Sequence, residues 1–139
     1  MRKTTFLILF LFVNLCFCQT KMDSVAAINK AVEIQQRVDK KGNSNTVNEI
    51  KAAVSELTDL IPNFKSNRAL ADLKYLRGMT IYSFFRFSFV GNNLTKTEKI
   101  DVCKNTIADL EFAEKHGYED DDSVYIVLKQ ARKELELLR

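Results

Sequence analysis

The chain has 139 residues, with 21 Lys and Arg against 18 Asp and Glu, one Pro, four Gly and no Trp. That length suits a single domain, and a formal charge of +3 is too weak a field to argue for nucleic acid. A chain so poor in turn-forming residues favours a few long helices over many short strands.

The opening "MRKTTFLILFLFVNLCFC" places Arg2 and Lys3 before an apolar run from Phe6 to Phe17, broken only by Asn14. The small residues Cys16 and Cys18 follow in the minus-three and minus-one positions, the order of a secretory signal peptide. About 12 apolar residues fall short of the roughly 20 needed to cross a bilayer. Residues 1–18 are therefore expected to be removed, leaving Gln19 first and residues 19–139 as one helical domain. Two other fates stay open: retention as an anchor, and lipidation at Cys16 or Cys18, where Leu15 or Phe17 would stand in place of the usual small residue. The membrane is an expected partner only in those two cases. Cleavage leaves 19 basic against 18 acidic residues, and only Cys103 among the cysteines. An exported, periplasmic or secreted chain of this kind has no internal disulfide and must stand on its apolar core.

Apolar spacing predicts the first helix over about Ser24 to Lys40, with Ala27, Ala31, Ile34 and Val38 on one stripe. Asp23 or Ser24 can cap its start, and Gly42 can take the left-handed position past its end. Val47, Ile50, Val54, Leu57 and Ile61 predict the second, about Asn45 to Ile61, stopped by Pro62. The third begins near Ser66 or Asn67, carries Leu70, Leu73, Leu76, Ile81 and Phe84, and runs to Phe87 or Phe89.

Six aromatic rings crowd the fifteen residues from Tyr75 to Phe89 of this third segment. Tyr82, Phe84, Phe85, Phe87 and Phe89 alternate loosely with polar residues, as in a strand. The adjacent pair Phe84–Phe85 breaks that alternation, and the preceding residues keep a helical period. Apolar side chains on most of its circumference predict a helix with neighbours on both sides. "VGNNLTKTEK" then reads as a long loop.

The fourth helix, about Lys96 to His116, carries Ile100, Cys103, Ile107 and Leu110, with a cap in the Thr95/Thr97 region. Gly117 supplies its ending, with Tyr118 folded back on the last turn. The fifth, about Ser123 to Leu138, shows Val124, Leu128, Ala131, Leu135 and Leu138, preceded by acids that suit a helix N-terminus. The expected architecture is all-α: about five antiparallel amphipathic helices in a stack or bundle.

"LKYLRGMTIY" resembles the first helix of a tetratricopeptide repeat, with Leu76, Gly78 and Tyr82 near that family's leucine, glycine and aromatic positions. "TIADLEFAEKHGYEDD" is similar to its second helix, with Ala113 at the small residue where helices meet. Pro62 matches the proline that closes a repeat. The resemblance covers about Ser44 to the C-terminus and departs from the 34-residue period. It implies two irregular repeats and a capping helix, a stack that binds peptides or proteins and has no catalytic residue.

No nucleophile, base and orienting group stand in a recognisable pattern, so no enzyme, cofactor or metal is expected. His116, the only histidine, falls where a cation suits a helix end; Cys103 lies on an apolar stripe. Glu119 to Asp122 are consecutive, unlike the alternating acids of a calcium loop. Asn93, Leu94 and Thr95 fit a glycosylation acceptor. The aromatic run packs the core or ends in an exposed patch. For the patch, the expected partner-binding residues are Tyr82, Phe85, Arg86, Phe89, Asn92 and Asn93, rings anchoring and the arginine orienting. The expected function is an exported, non-enzymatic helical module binding a protein or peptide. The alternative is a periplasmic inhibitor or immunity protein that blocks a toxin or hydrolase with its loop.

Overall fold

The computed structural model describes residues 22–139, and the expected signal segment with its cleavage point lies outside them. The described residues are all-helical: α1 Ser24–Lys41, α2 Val47–Asp59, α3 Asn67–Arg86, α4 Ser88–Asn92, α5 Lys96–Lys115 and α6 Asp122–Leu137, with 3₁₀ turns at Gly42–Ser44 and Ile61–Asn63. No helix among them is long and apolar enough to cross a membrane.

Side-chain oxygens start the helices where their first N–H groups lack partners. Asp23 caps α1, Ser66 caps α3, and Thr46 and Thr95 open α2 and α5 with reciprocal capping boxes that use Glu49 and Glu98. Gly42 and Gly117 follow α1 and α5 with positive φ, as expected. Tyr118 donates its backbone N–H to the Ala113 carbonyl at 3.2 Å, the outer bond of a Schellman ending. Pro62 sits inside a 3₁₀ turn that leads away from α2.

Two expectations need correction. Among the described residues five helices become six, and the segment expected as a long loop is mostly helix. The third helix ends at Arg86 because Phe87 adopts extended backbone angles (φ −97°, ψ 102°), after which Ser88–Asn92 starts a new turn. Burial drives that reversal: Phe87, Val90 and Leu94 all return to the core. The turn back is tight enough that a Cβ on Gly91 would lie 2.7 Å from the Phe84 carbonyl oxygen.

Helix α3 is the centre of the packing, lying against α1 and α2 on one side and α5 and, more lightly, α6 on the other. It therefore serves two apolar clusters. Leu73, Ile81 and Phe84 join Ala27, Ala31, Ile50 and Leu57 in the larger. Tyr75, Met79 and Tyr82 lean on Leu110, Val124 and Leu128 in the smaller. Service on both sides explains why its apolar residues cover most of its circumference. Gly78 lets α5 approach, since a Cβ there would stand 2.8 Å from Leu110 Cδ2.

Candidate functional site

The expected partner-binding residues spread over the end of α3 and over α4 without sharing one face. Phe89 is the exposed ring, with 60% of its surface open, while Phe84 and Phe87 are buried. Tyr82 and Phe85 are half-buried, 6.1 Å apart between ring centroids. Tyr82 leans toward α6 and donates its hydroxyl to Gln130 Oε1 at 2.6 Å. Arg86 turns the other way, pairing with Asp39 on α1 while its guanidinium lies 4.7 Å from the Phe87 ring centre. Asn92 is exposed, and Asn93 donates from Nδ2 to the Phe89 carbonyl at 2.7 Å.

A second feature was not anticipated. Helices α2 and α5 both lie on α3 and leave a cleft between them of about 250 Å³. Ile81 and Phe84 of α3 form its floor, with Val54 of α2 and Leu94 and Val102 beside them. Lys51, Glu98, Asp101 and Asn105 line the polar rim.

Two sets of side-chain bonds tie α2 to α5, the first across the cleft. Lys51 Nζ donates to Glu98 Oε1 at 2.8 Å. Glu98 also accepts from the Thr95 backbone N–H, so one carboxylate closes the α5 capping box and holds α2. Those bonds, Lys51 first, pull its carboxyl from the usual 4.5 down to about 2. The second link runs through Arg77 of α3, which donates to Thr58 Oγ1 on α2 at 3.1 Å and to both carboxylate oxygens of Asp109 on α5 at 2.6 and 2.7 Å. Asp109 is 1% exposed and takes a further bond from Lys74 Nζ at 2.8 Å. The fork geometry and the extra cation compensate a charge that would be costly to bury alone.

The chemistry singled out in the sequence falls into structural positions. Cys103 is fully buried and its thiol is pushed up to about 11 by desolvation, leaving little thiolate near neutrality. His116 is the C-cap residue of α5, its ring 4.5 Å from that of Phe112. Asp121 caps α6 by accepting from Ser123 and Val124 N–H, whereas Glu119, Asp120 and Asp122 are exposed. Among the described residues no three His, Cys, Asp or Glu side chains gather closely enough to hold a metal ion. The Tyr118 ring, expected on the last turn of α5, instead stacks on Tyr75 of α3 at 4.6 Å and donates its hydroxyl to Asp72 at 3.0 Å. Burial first, then Asp72, raises that phenol to about 12. Thr95 of the glycosylation pattern is held in the α5 cap.

Partial signals for the cleft were present in the sequence: "TKTE" is a capping box, and Val54 and Ile81 were on apolar stripes. That two non-adjacent helices would leave their shared neighbour uncovered is a property of packing. No family model matches the chain, and comparisons with curated proteins and with solved structures return no match.

Proposed function

We propose that the chain is an exported, non-enzymatic helical module that binds a protein or peptide partner. Its architecture would be an irregular tetratricopeptide-like stack of antiparallel hairpins, α1–α2 and α3–α5, capped by α6. The packing order supports this reading, because α3 touches both members of the preceding pair and all three helices that follow it. The same capping box opens the second helix of each pair.

The observation that carries the binding reading is the cleft between α2 and α5. Its volume of about 250 Å³ lies below the roughly 300–1,000 Å³ typical of small-molecule sites, and suits one or two side chains of a partner. An apolar floor inside a polar rim is the usual plan of a contact whose anchor is desolvated. Asn105 is exposed on the rim, so Asn105→Trp fills the entrance without touching the core. Affinity capture from the exported fraction should hold a partner on the unaltered chain and lose it on Asn105→Trp. A partner retained equally by both would overturn the cleft as the binding site.

One observation favours the inhibitor reading as the second choice. Phe89 projects from a corner anchored on either side by buried Phe87 and Val90, and its carbonyl is tied by Asn93. A ring presented this way suits insertion into a partner's cavity, with Arg86 and Asn92 beside it and the half-buried Tyr82 and Phe85 behind. Phe89→Ala should then release the partner while melting stays within about 0.5 kcal/mol of the original, as for an exposed site.

A further inference from the structure

We infer that the α2–α5 cleft takes an apolar side chain whose neighbour in the partner is a lysine or arginine. The inference rests on the binding-module reading and names the chemistry its cleft selects. Within the cleft, Val54, Ile81, Phe84, Leu94 and Val102 offer carbon alone, so the inserted group must be apolar to offset its own desolvation.

The charges at the rim then decide what may stand beside that group. Lys51, the rim's one cation, is already committed to Glu98 at 2.8 Å. Asp101 is exposed one turn further along α5, on the same side as Glu98, Val102 and Asn105, and forms no ion pair among the described residues. Lys51, Glu98 and Asp101 together leave the rim one negative charge in excess. A cation flanking the inserted side chain meets that unpaired carboxylate, and an anion there meets repulsion. Glu98 keeps its charge down to a pH of about 2, because Lys51 and Thr95 bind the ionised form, so Lys51 stays committed to it.

Two blocked tetrapeptides, one alternating leucine with lysine and one alternating leucine with glutamate, serve as probes. Methyl resonances of the full folded chain report where they bind: Val54, Ile81 and Val102 for the cleft, and exposed Leu137 on α6 as the control. The expected result is saturable shifts at the three cleft methyls, none at Leu137, with the leucine–lysine peptide binding several-fold tighter than its acidic counterpart. Asp101→Lys should weaken the leucine–lysine peptide about three- to fivefold, the scale of one exposed charge contact, and narrow the gap between the two peptides. Added salt should narrow it as well. Asn105→Trp should abolish the cleft shifts for both. Equal affinity of the two peptides, or no effect of Asp101→Lys, overturns the charge selection while leaving the cleft as a binding site. Absence of cleft shifts with either peptide at millimolar concentration overturns the inference and the binding reading together.

Discussion

The α1–α2 pair and the α3–α5 pair start alike and are joined differently. Each second helix opens with threonine and glutamate in a capping box, Thr46 with Glu49 and Thr95 with Glu98. Each of those glutamates also binds a lysine from elsewhere, Lys41 and Lys51 respectively. Between the helices the likeness ends. Ala27, Ala31, Ile34 and Val38 of α1 and Ile50, Ala53 and Leu57 of α2 bury nothing but hydrocarbon. The α3–α5 seam buries Thr106 and Asp109 and sets Lys74 and Arg77 around the carboxylate. A dry seam is held by volume, whereas the charged seam has one register in which Asp109 is satisfied.

Truncating Asp109 gives the largest separation between the pairs. Asp109→Ala leaves Lys74 and Arg77 unpaired with 19% and 15% of their side chains exposed, and should cost about 3–5 kcal/mol in urea unfolding. Replacing the three together by Met, Leu and Leu should recover most of that loss, because the charges then no longer need one another. In the dry pair, Leu57→Ala should cost about 3 kcal/mol by opening a cavity, with no comparable recovery from altering its neighbours. If Asp109→Ala costs less than 1 kcal/mol, the charged seam is not what fastens the second pair.

Gly91→Ala comes next, at about 1–3 kcal/mol, because the added carbon meets the Phe84 backbone carbonyl and not a yielding side chain. Thermal melting should show the loss without a change in helical signal per residue. Thr106→Val should move the other way by about 1 kcal/mol. The Thr106 hydroxyl is buried with no hydrogen-bond partner among the described residues, and Val keeps the shape while removing the desolvated group.

The smallest effect is in pH. Glu49 and Glu98 are both held near 2 in the folded chain against an ordinary 4.5, by their lysines first and their capping threonines second. Depressed acids stabilise the fold above the unfolded value, and that contribution fades as pH falls from 4.5 toward 2. Melting temperature should drop slightly across that window, and Glu49→Gln with Glu98→Gln should flatten the drop. An unchanged slope in the double variant would place the acid sensitivity elsewhere.

Most of this fold could be read from spacing alone, since Ala27, Ala31, Ile34 and Val38, or Val124, Leu128 and Ala131, repeat with a helical period over long runs. The period fails at Phe87, where the backbone turns extended for one residue and α4 begins. A five-residue helix is too short to show a stripe, and its Gly91, Asn92 and Asn93 carry the chemistry of a turn. The charged seam was illegible for a different reason: Asp109 lies 35 and 32 residues from Lys74 and Arg77, and nothing local marks them as partners. Composition could not separate Phe89, which projects, from Phe87, which is buried, because only the reversal at Phe87 decides which ring faces inward.

The position of α3 has a consequence for how the molecule comes apart. The larger greasy interior is divided between the segments on either side of Lys65, whereas the smaller is built wholly from residues that follow it. Cutting the backbone near Lys65 should leave the first piece, α1 with α2, unstructured until the second is added. Heating the intact chain should give one calorimetric peak, whose enthalpy equals the van't Hoff value.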